Sequence, residues 1–139
     1  MVVDRLAKFF CDVNVVKLAK WLRFAGFNTM VVRELSQSKI ESLCIKERRV
    51  FLTRKKKMKK FLGSHEILVS DNVFEQLSYI LSKYKLDDSL IGSYCIECNV
   101  KLREYETEKK YCPRCGKIYW KGSHYDNMIK MIRLASQHL

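Results

Sequence analysis

Acidic residues are scarce in this sequence: 15 Asp and Glu face 27 Lys and Arg over 139 residues, a formal charge of +12 with a pI near 9.5. Such a surplus draws polyanions, nucleic acid before acidic membrane surfaces. No stretch approaches the roughly 20 apolar residues of a membrane span. The opening Met1-Val-Val-Asp-Arg does not lead into the apolar-then-small pattern of a secretory leader. The expectation is a cytoplasmic protein with no membrane partner. Thiols stay reduced there, so six cysteines point to metal before disulfides. No internal repeat is visible. The 47% hydrophobic content is enough for a packed core, which excludes disorder as the default.

Apolar runs and helical patterns alternate through the first 85 residues. Phe9-Phe10-Cys11 reads as a buried strand ending at Asp12. Val15, Leu18, Ala19 and Leu22 then recur at helical spacing, with Gly26 at the C-cap. Thr29 to Val32 forms a second strand. Ser38 and Glu41 make a capping box for a helix carrying Ile40, Leu43 and Cys44 on one face. Val50–Thr53 is a third strand, followed by a short basic helix that buries Met58, Phe61 and Leu62. Ile67–Val69 is a fourth strand, and Phe74, Leu77, Ile80, Leu81 and Tyr84 mark another amphipathic helix. Nearly all-apolar strands alternating with helices predict an α/β fold with a parallel sheet covered on both faces. In such sheets ligands gather at the strands' C-terminal edge. After Asp88 the periodicity lapses until a last helix over 125–137, so the expected division is 1–88 for the α/β domain and 89–139 for a cysteine ribbon with its terminal helix.

Cys95-Ile-Glu-Cys98 and Cys112-Pro-Arg-Cys115 each bring two sulfurs to one tetrahedral ion, and the two pairs close the site. Asn99 and Gly116, just after the pairs, accept the left-handed backbone that turns amides toward thiolates. The expectation is a structural Zn²⁺ held by Cys95, Cys98, Cys112 and Cys115, with two disulfides or free thiols as the alternatives. Cys11 and Cys44 lie among apolar neighbours and read as core.

Three acids follow strand ends: Asp12, Glu34 and Asp71. Converging, they would hold Mg²⁺ or Mn²⁺ and position a phosphodiester for hydrolysis. The plainer reading makes Asp12 or Asn14 a helix cap and pairs Asn72 with Glu75 at the next. Lys55, after the third strand, would repel a divalent ion from that edge. Arg54, Lys55, Lys56, Lys57, Lys59 and Lys60 start at the same edge and would grip phosphates, unless they are simply a solvated face. In the segment 120–126, Trp120, Lys121, His124 and Tyr125 could stack on unpaired bases and grip phosphates, with Lys121 and His124 the candidate RNA contacts. For Trp120 the expected role is packing the ribbon against the first domain. His65 and His138 show no partner in the sequence.

Four segments together resemble the PIN-like ribonuclease family named for the C-terminal region of the Mut-seven exonuclease. They are Cys11-Asp12 with the helix through Trp21-Leu-Arg-Phe-Ala-Gly26, Val50-Phe-Leu-Thr-Arg54, Val69-Ser-Asp71 with Glu75-Gln-Leu77, and the ribbon ending Tyr119-Trp-Lys-Gly-Ser-His-Tyr-Asp126. The resemblance implies a PIN-like three-layer α/β/α fold with a zinc ribbon, and metal-dependent cleavage of RNA in which Asp12 and Asp71 are acidic site positions. Two departures stand out: Thr53-Arg54-Lys55 replaces the family's Thr-Arg-Asp, and only Glu34 remains of the acids that tend to follow Thr29. Three functions follow as expectations: a ribonuclease, a catalytically impaired RNA-binding module, or a module whose ribbon grips a protein partner.

Overall fold

The computed structural model describes residues 6–137; Met1–Arg5, where no leader is expected, and His138 lie outside the described residues. Four strands, β1 (Lys8–Cys11), β2 (Thr29–Val31), β3 (Arg49–Thr53) and β4 (His65–Ile67), form one sheet in the order β2-β1-β3-β4. All three pairings are parallel. Side chains alternate across the pleat, so each central strand feeds two cores. Phe9, Cys11, Val50 and Leu52 meet α1 (Val16–Phe24) and α3 (Val73–Lys83) through Leu18, Leu22, Leu77 and Ile80. Phe10 and Phe51 meet α2 (Gln37–Glu47) through Ile40 and Cys44. The result is the expected three-layer α/β/α sandwich with a parallel sheet.

Beyond a short 3₁₀ turn at Asp88–Leu90 the chain forms an antiparallel ribbon, β5 (Arg103–Glu106), β6 (Lys109–Tyr111) and β7 (Ile118–Trp120), in that order. It then returns through α4 (Ser123–Gln137), whose Ile132 and Ala135 are buried in the α1/α3 core. Gly26, at φ +101°, ends α1 as expected; a Cβ there would sit 2.6 Å from the Leu90 carbonyl oxygen. Cys11 and Cys44 are both buried, as expected. No helix among the described residues is long and apolar enough to cross a membrane.

Three local expectations are corrected. The basic stretch 54–64 contains no helix. A helix would stack Lys55 on Lys59 and Lys56 on Lys60, pairs that repel at that spacing. Instead the stretch is a loop, tied by Gln37 Nε2 donating to the Lys59 carbonyl at 3.0 Å and by the Leu62 amide donating to Glu41 at 2.8 Å. Phe61 still fills the core, stacked on Phe51 at 5.0 Å, but Leu62 is 58% exposed. Ser36, not Ser38, caps α2, accepting from the Lys39 amide; this leaves Glu41 free to hold the loop. The fourth strand starts two residues early: its ladder ends with the Leu68 amide on the Thr53 carbonyl at 2.7 Å, and Val69 is 75% exposed.

Candidate functional site

The strand order places β2 and β3 on opposite sides of β1, so the chain's direction of winding reverses between β1 and β3. Crevices open at such points on the carboxyl edge. Asp12 stands there. Its amide donates to the Leu52 carbonyl at 2.8 Å, pinning the backbone to β3. Its carboxylate is held at both oxygens, by the Val13 amide at 2.8 Å and by the hydroxyl of the fully buried Thr53 at 2.7 Å. Asp12 is therefore both a cap and a fixed carboxylate at the crevice. The same Thr53 oxygen accepts from the Lys55 amide at 3.1 Å, so the Asp12 carboxylate and the backbone of position 55 meet at one hydroxyl. Sequence reasoning found Asp12 but missed Thr53, whose polar side chain at the end of an apolar strand was the available signal.

The other two acids are placed differently. Glu34 is exposed in the β2–α2 loop at φ +50°, and Asp71 is exposed before α3, where Asn72 does the capping by accepting from the Glu75 amide at 3.0 Å. Asp12, Glu34 and Asp71 are not part of the compact ligand group found among the described residues, which consists of cysteines. Lys55, Lys56, Lys57, Lys59 and Lys60 are all exposed, and none forms an ion pair among the described residues. Arg54 is partly buried: its Nη2 reaches the Val69 carbonyl at 3.4 Å, while Nε is sealed from solvent without a partner. The edge between β1 and β3 thus joins one fixed carboxylate to a loop of unneutralised cations.

The four cysteines of the ribbon do form a ligand group. Their sulfurs all lie within 4.8 Å of one another. Asn99 (φ +59°) and Gly116 (φ +79°) take the left-handed backbone, and the Asn99 and Gly116 amides close each turn on the Cys95 and Cys112 carbonyls at 2.9 Å. Burial disfavours ionisation of Cys112. The amides of Cys115 and Arg114, both 3.4 Å from its sulfur, outweigh this and bring its thiol down to about 7. Tyr119 donates or accepts at Cys95 Sγ (3.2 Å) and accepts the Ile96 amide (3.1 Å), completing the surroundings of the sulfurs. Four converging thiols with amides aimed at them fit a closed, structural metal site.

The ribbon is fastened to the sandwich by polar groups. Arg23, buried in α1, donates to the carbonyls of Thr29, Ile96 and Glu97 at 2.8, 2.8 and 3.3 Å. Asn99 accepts from the buried Thr29 amide at 2.8 Å and donates to Asn28 at 2.9 Å, and Asn28 in turn accepts from Arg49 at 2.9 Å. One residue thus ends the first cysteine turn and plugs the edge of β2. Asn99→Ala strands the Thr29 amide, and its expected cost is about 2 kcal/mol, read as a fall of roughly 5–10 °C in thermal melting. A melting point equal to wild type would show that this bridge contributes nothing.

Trp120 corrects another expectation. It does not pack the ribbon onto the sandwich; it is 62% exposed. Strand alternation turns Tyr119 toward the cysteines, so its neighbour faces out. His124, at the start of α4, and Lys121 are both exposed but border different cavities on either flank of Trp120.

A doubly covered parallel sheet with a carboxylate at its switch point, joined to a ribbon whose four cysteines can hold a metal ion, defines an α/β protein with an attached cysteine-cluster module. The family described as the Mut7-C RNAse domain matches residues 7–110 and 103–132, and the chain belongs to that family. No curated protein and no solved structure matches the chain.

Proposed function

We propose that the chain binds RNA at the carboxyl edge of its sheet as a catalytically impaired member of this ribonuclease family, and that its cysteine cluster holds a structural Zn²⁺ in the reducing cytoplasm. The observation that carries the reading is the loop of exposed lysines leaving β3 beside Asp12, none of them in an ion pair among the described residues. Lys55, Lys56, Lys57, Lys59 and Lys60 grip phosphates, and the partly buried Arg54 braces the loop where it leaves the strand.

Replacing Lys56, Lys57, Lys59 and Lys60 by Ala tests this. Each single-strand phosphate contact contributes about 0.7 to the log–log salt slope, so the slope should fall by about 2–3 and affinity roughly 30- to 100-fold near 0.1 M salt. RNA binding that keeps its affinity and salt slope in this variant sinks the proposal.

A second reading keeps hydrolysis, with Asp12, Glu34 and Asp71 gathering Mg²⁺ or Mn²⁺ only when RNA is bound. The fixed orientation of the Asp12 carboxylate favours it. The exposed lysine that replaces the family's acid at position 55 opposes it.

A further inference from the structure

Beside Trp120 opens a cavity of about 300 Å³ walled by Phe24, Ile96, Tyr125 and Met128. Its walls are set. Tyr125 packs edge-on against Phe24 at 5.5 Å and lies so close to Gly92 that a Cβ there would be 2.7 Å from the phenol oxygen. The indole of Trp120 lies against Gly122, where a Cβ would come within 3.2 Å of Nε1. A second cavity of about 320 Å³, between α1 and α4, shares His124 and Met128 with the first and reaches Trp21 and Lys20. Both tryptophans of the chain therefore border one apolar groove.

Charge selects its occupant. No carboxylate lines either cavity, whereas Lys20, Lys117 and His124 stand at the groove. Lys20 is shared with Glu97 at 3.5 Å, and Lys117 rests over the Tyr119 ring at 5.2 Å. The opposite flank of Trp120 mixes Asp88, Glu104 and Glu108 with Lys109, Lys110 and Lys121, so the side whose lining holds cations and no acid is the groove.

We infer that this groove takes unpaired nucleobases of single-stranded RNA, with Trp120 as the stacking platform and Lys117 and His124 as phosphate contacts. The inference rests on the RNA-binding reading above and adds the class of RNA. Duplex bases are already stacked inside their helix and cannot enter, whereas splayed bases stack on exposed aromatic rings.

The test titrates the full chain with a single-stranded 12-nucleotide oligouridine and with a 12-base-pair RNA duplex. The proteins compared are wild type, Trp120→Ala, Trp120→Phe and the four-lysine variant, with sedimentation of each. Trp120→Ala should weaken oligouridine binding roughly 10-fold while leaving its salt slope and duplex binding unchanged, and Trp120→Phe should recover most of the loss. The high exposure of Trp120 makes the alanine change one that leaves the melting temperature unaltered. Wild-type oligouridine affinity in Trp120→Ala overturns the groove but leaves the sheet edge standing if the four-lysine variant is weakened. The converse result removes the sheet edge and keeps the groove. Should Trp120→Ala instead dissociate a dimer without touching RNA affinity, the groove is a protein interface and the inference fails.

Discussion

Stripping zinc from the chain should melt the ribbon at a temperature where the α/β sandwich is still folded. Between Ser93 and Gly122 the only fully buried side chains are Cys95 and Cys112; β5 is exposed along its whole length and β7 has only Tyr119 half-covered. A three-stranded sheet of this size needs an apolar face or an equivalent clamp. The clamp is the four-sulfur group, and structural zinc sites of this type contribute roughly 10–16 kcal/mol to folding near pH 7, as much as the whole stability of a typical domain. The sandwich should be weakened as well, because melting removes the Ile96 and Glu97 carbonyls that pair the buried Arg23 guanidinium. Metal analysis of the purified chain should return about one zinc per protein. Chelation, or Cys112→Ser, should split the melting curve into an early ribbon step and a later sandwich step. A chain free of metal that melts as wild type in a single step, or one whose ribbon cysteines prove to be paired as disulfides, defeats this account.

Lys55→Asp is expected to confer Mn²⁺-dependent RNA cleavage that the natural chain lacks. Position 55 is two hydrogen bonds from Asp12, its backbone amide and the Asp12 carboxylate meeting at the Thr53 hydroxyl, so the substitution adds a second carboxylate near the crevice and removes an ammonium that would oppose a divalent ion. An ion held there can stabilise the charge developing on phosphate oxygens by several kcal/mol, or roughly 10³-fold in rate. The gained activity should vanish when Asp12→Asn is added. Cleavage by the unmodified chain, lost on Asp12→Asn alone, would return the protein to the active ribonucleases and defeat the impaired reading. Tests of Glu34→Gln and Asp71→Asn in the Lys55→Asp background would then show whether either acid joins the site.

The fold was legible because each central strand is nearly all apolar and each helix carries its own stripe. Phe9 to Cys11 and Val50 to Thr53 admit few placements other than the middle of a parallel sheet. The ribbon was legible from its spacing, down to the left-handed backbone at Asn99 and Gly116. Misreadings arose where position along a periodic pattern had to decide between neighbours. Met58, Phe61 and Leu62 suit a helical face, but lysines at the intervening spacing repel; Phe61 is drawn into the core and Met58 packs against it, while Leu62 stays exposed. Ser38 and Glu41 have the spacing of a capping box, yet the cap went to Ser36, because the loop after β3 competes for Glu41. Trp120 was assigned to packing from its size alone; which of two adjacent aromatic residues faces inward depends on the register of β7, and register is a tertiary property. The fixing of Asp12 was equally out of reach, since it depends on a hydrogen bond from Thr53 on a neighbouring strand as well as one from the Val13 amide.

Because α4 comes back to the sandwich, the ribbon is a detour between two anchored points and not a tail. If the ribbon melts, its residues become a slack tether of about thirty links. Such a tether still keeps a helix near its docking face at an effective concentration in the millimolar range. Ile132 and Ala135 can then find the core again without the metal, whereas a single cut in that tether lets the helix diffuse away. An unbroken chain past the cysteines, more than an ordered one, is what holds the last helix in place.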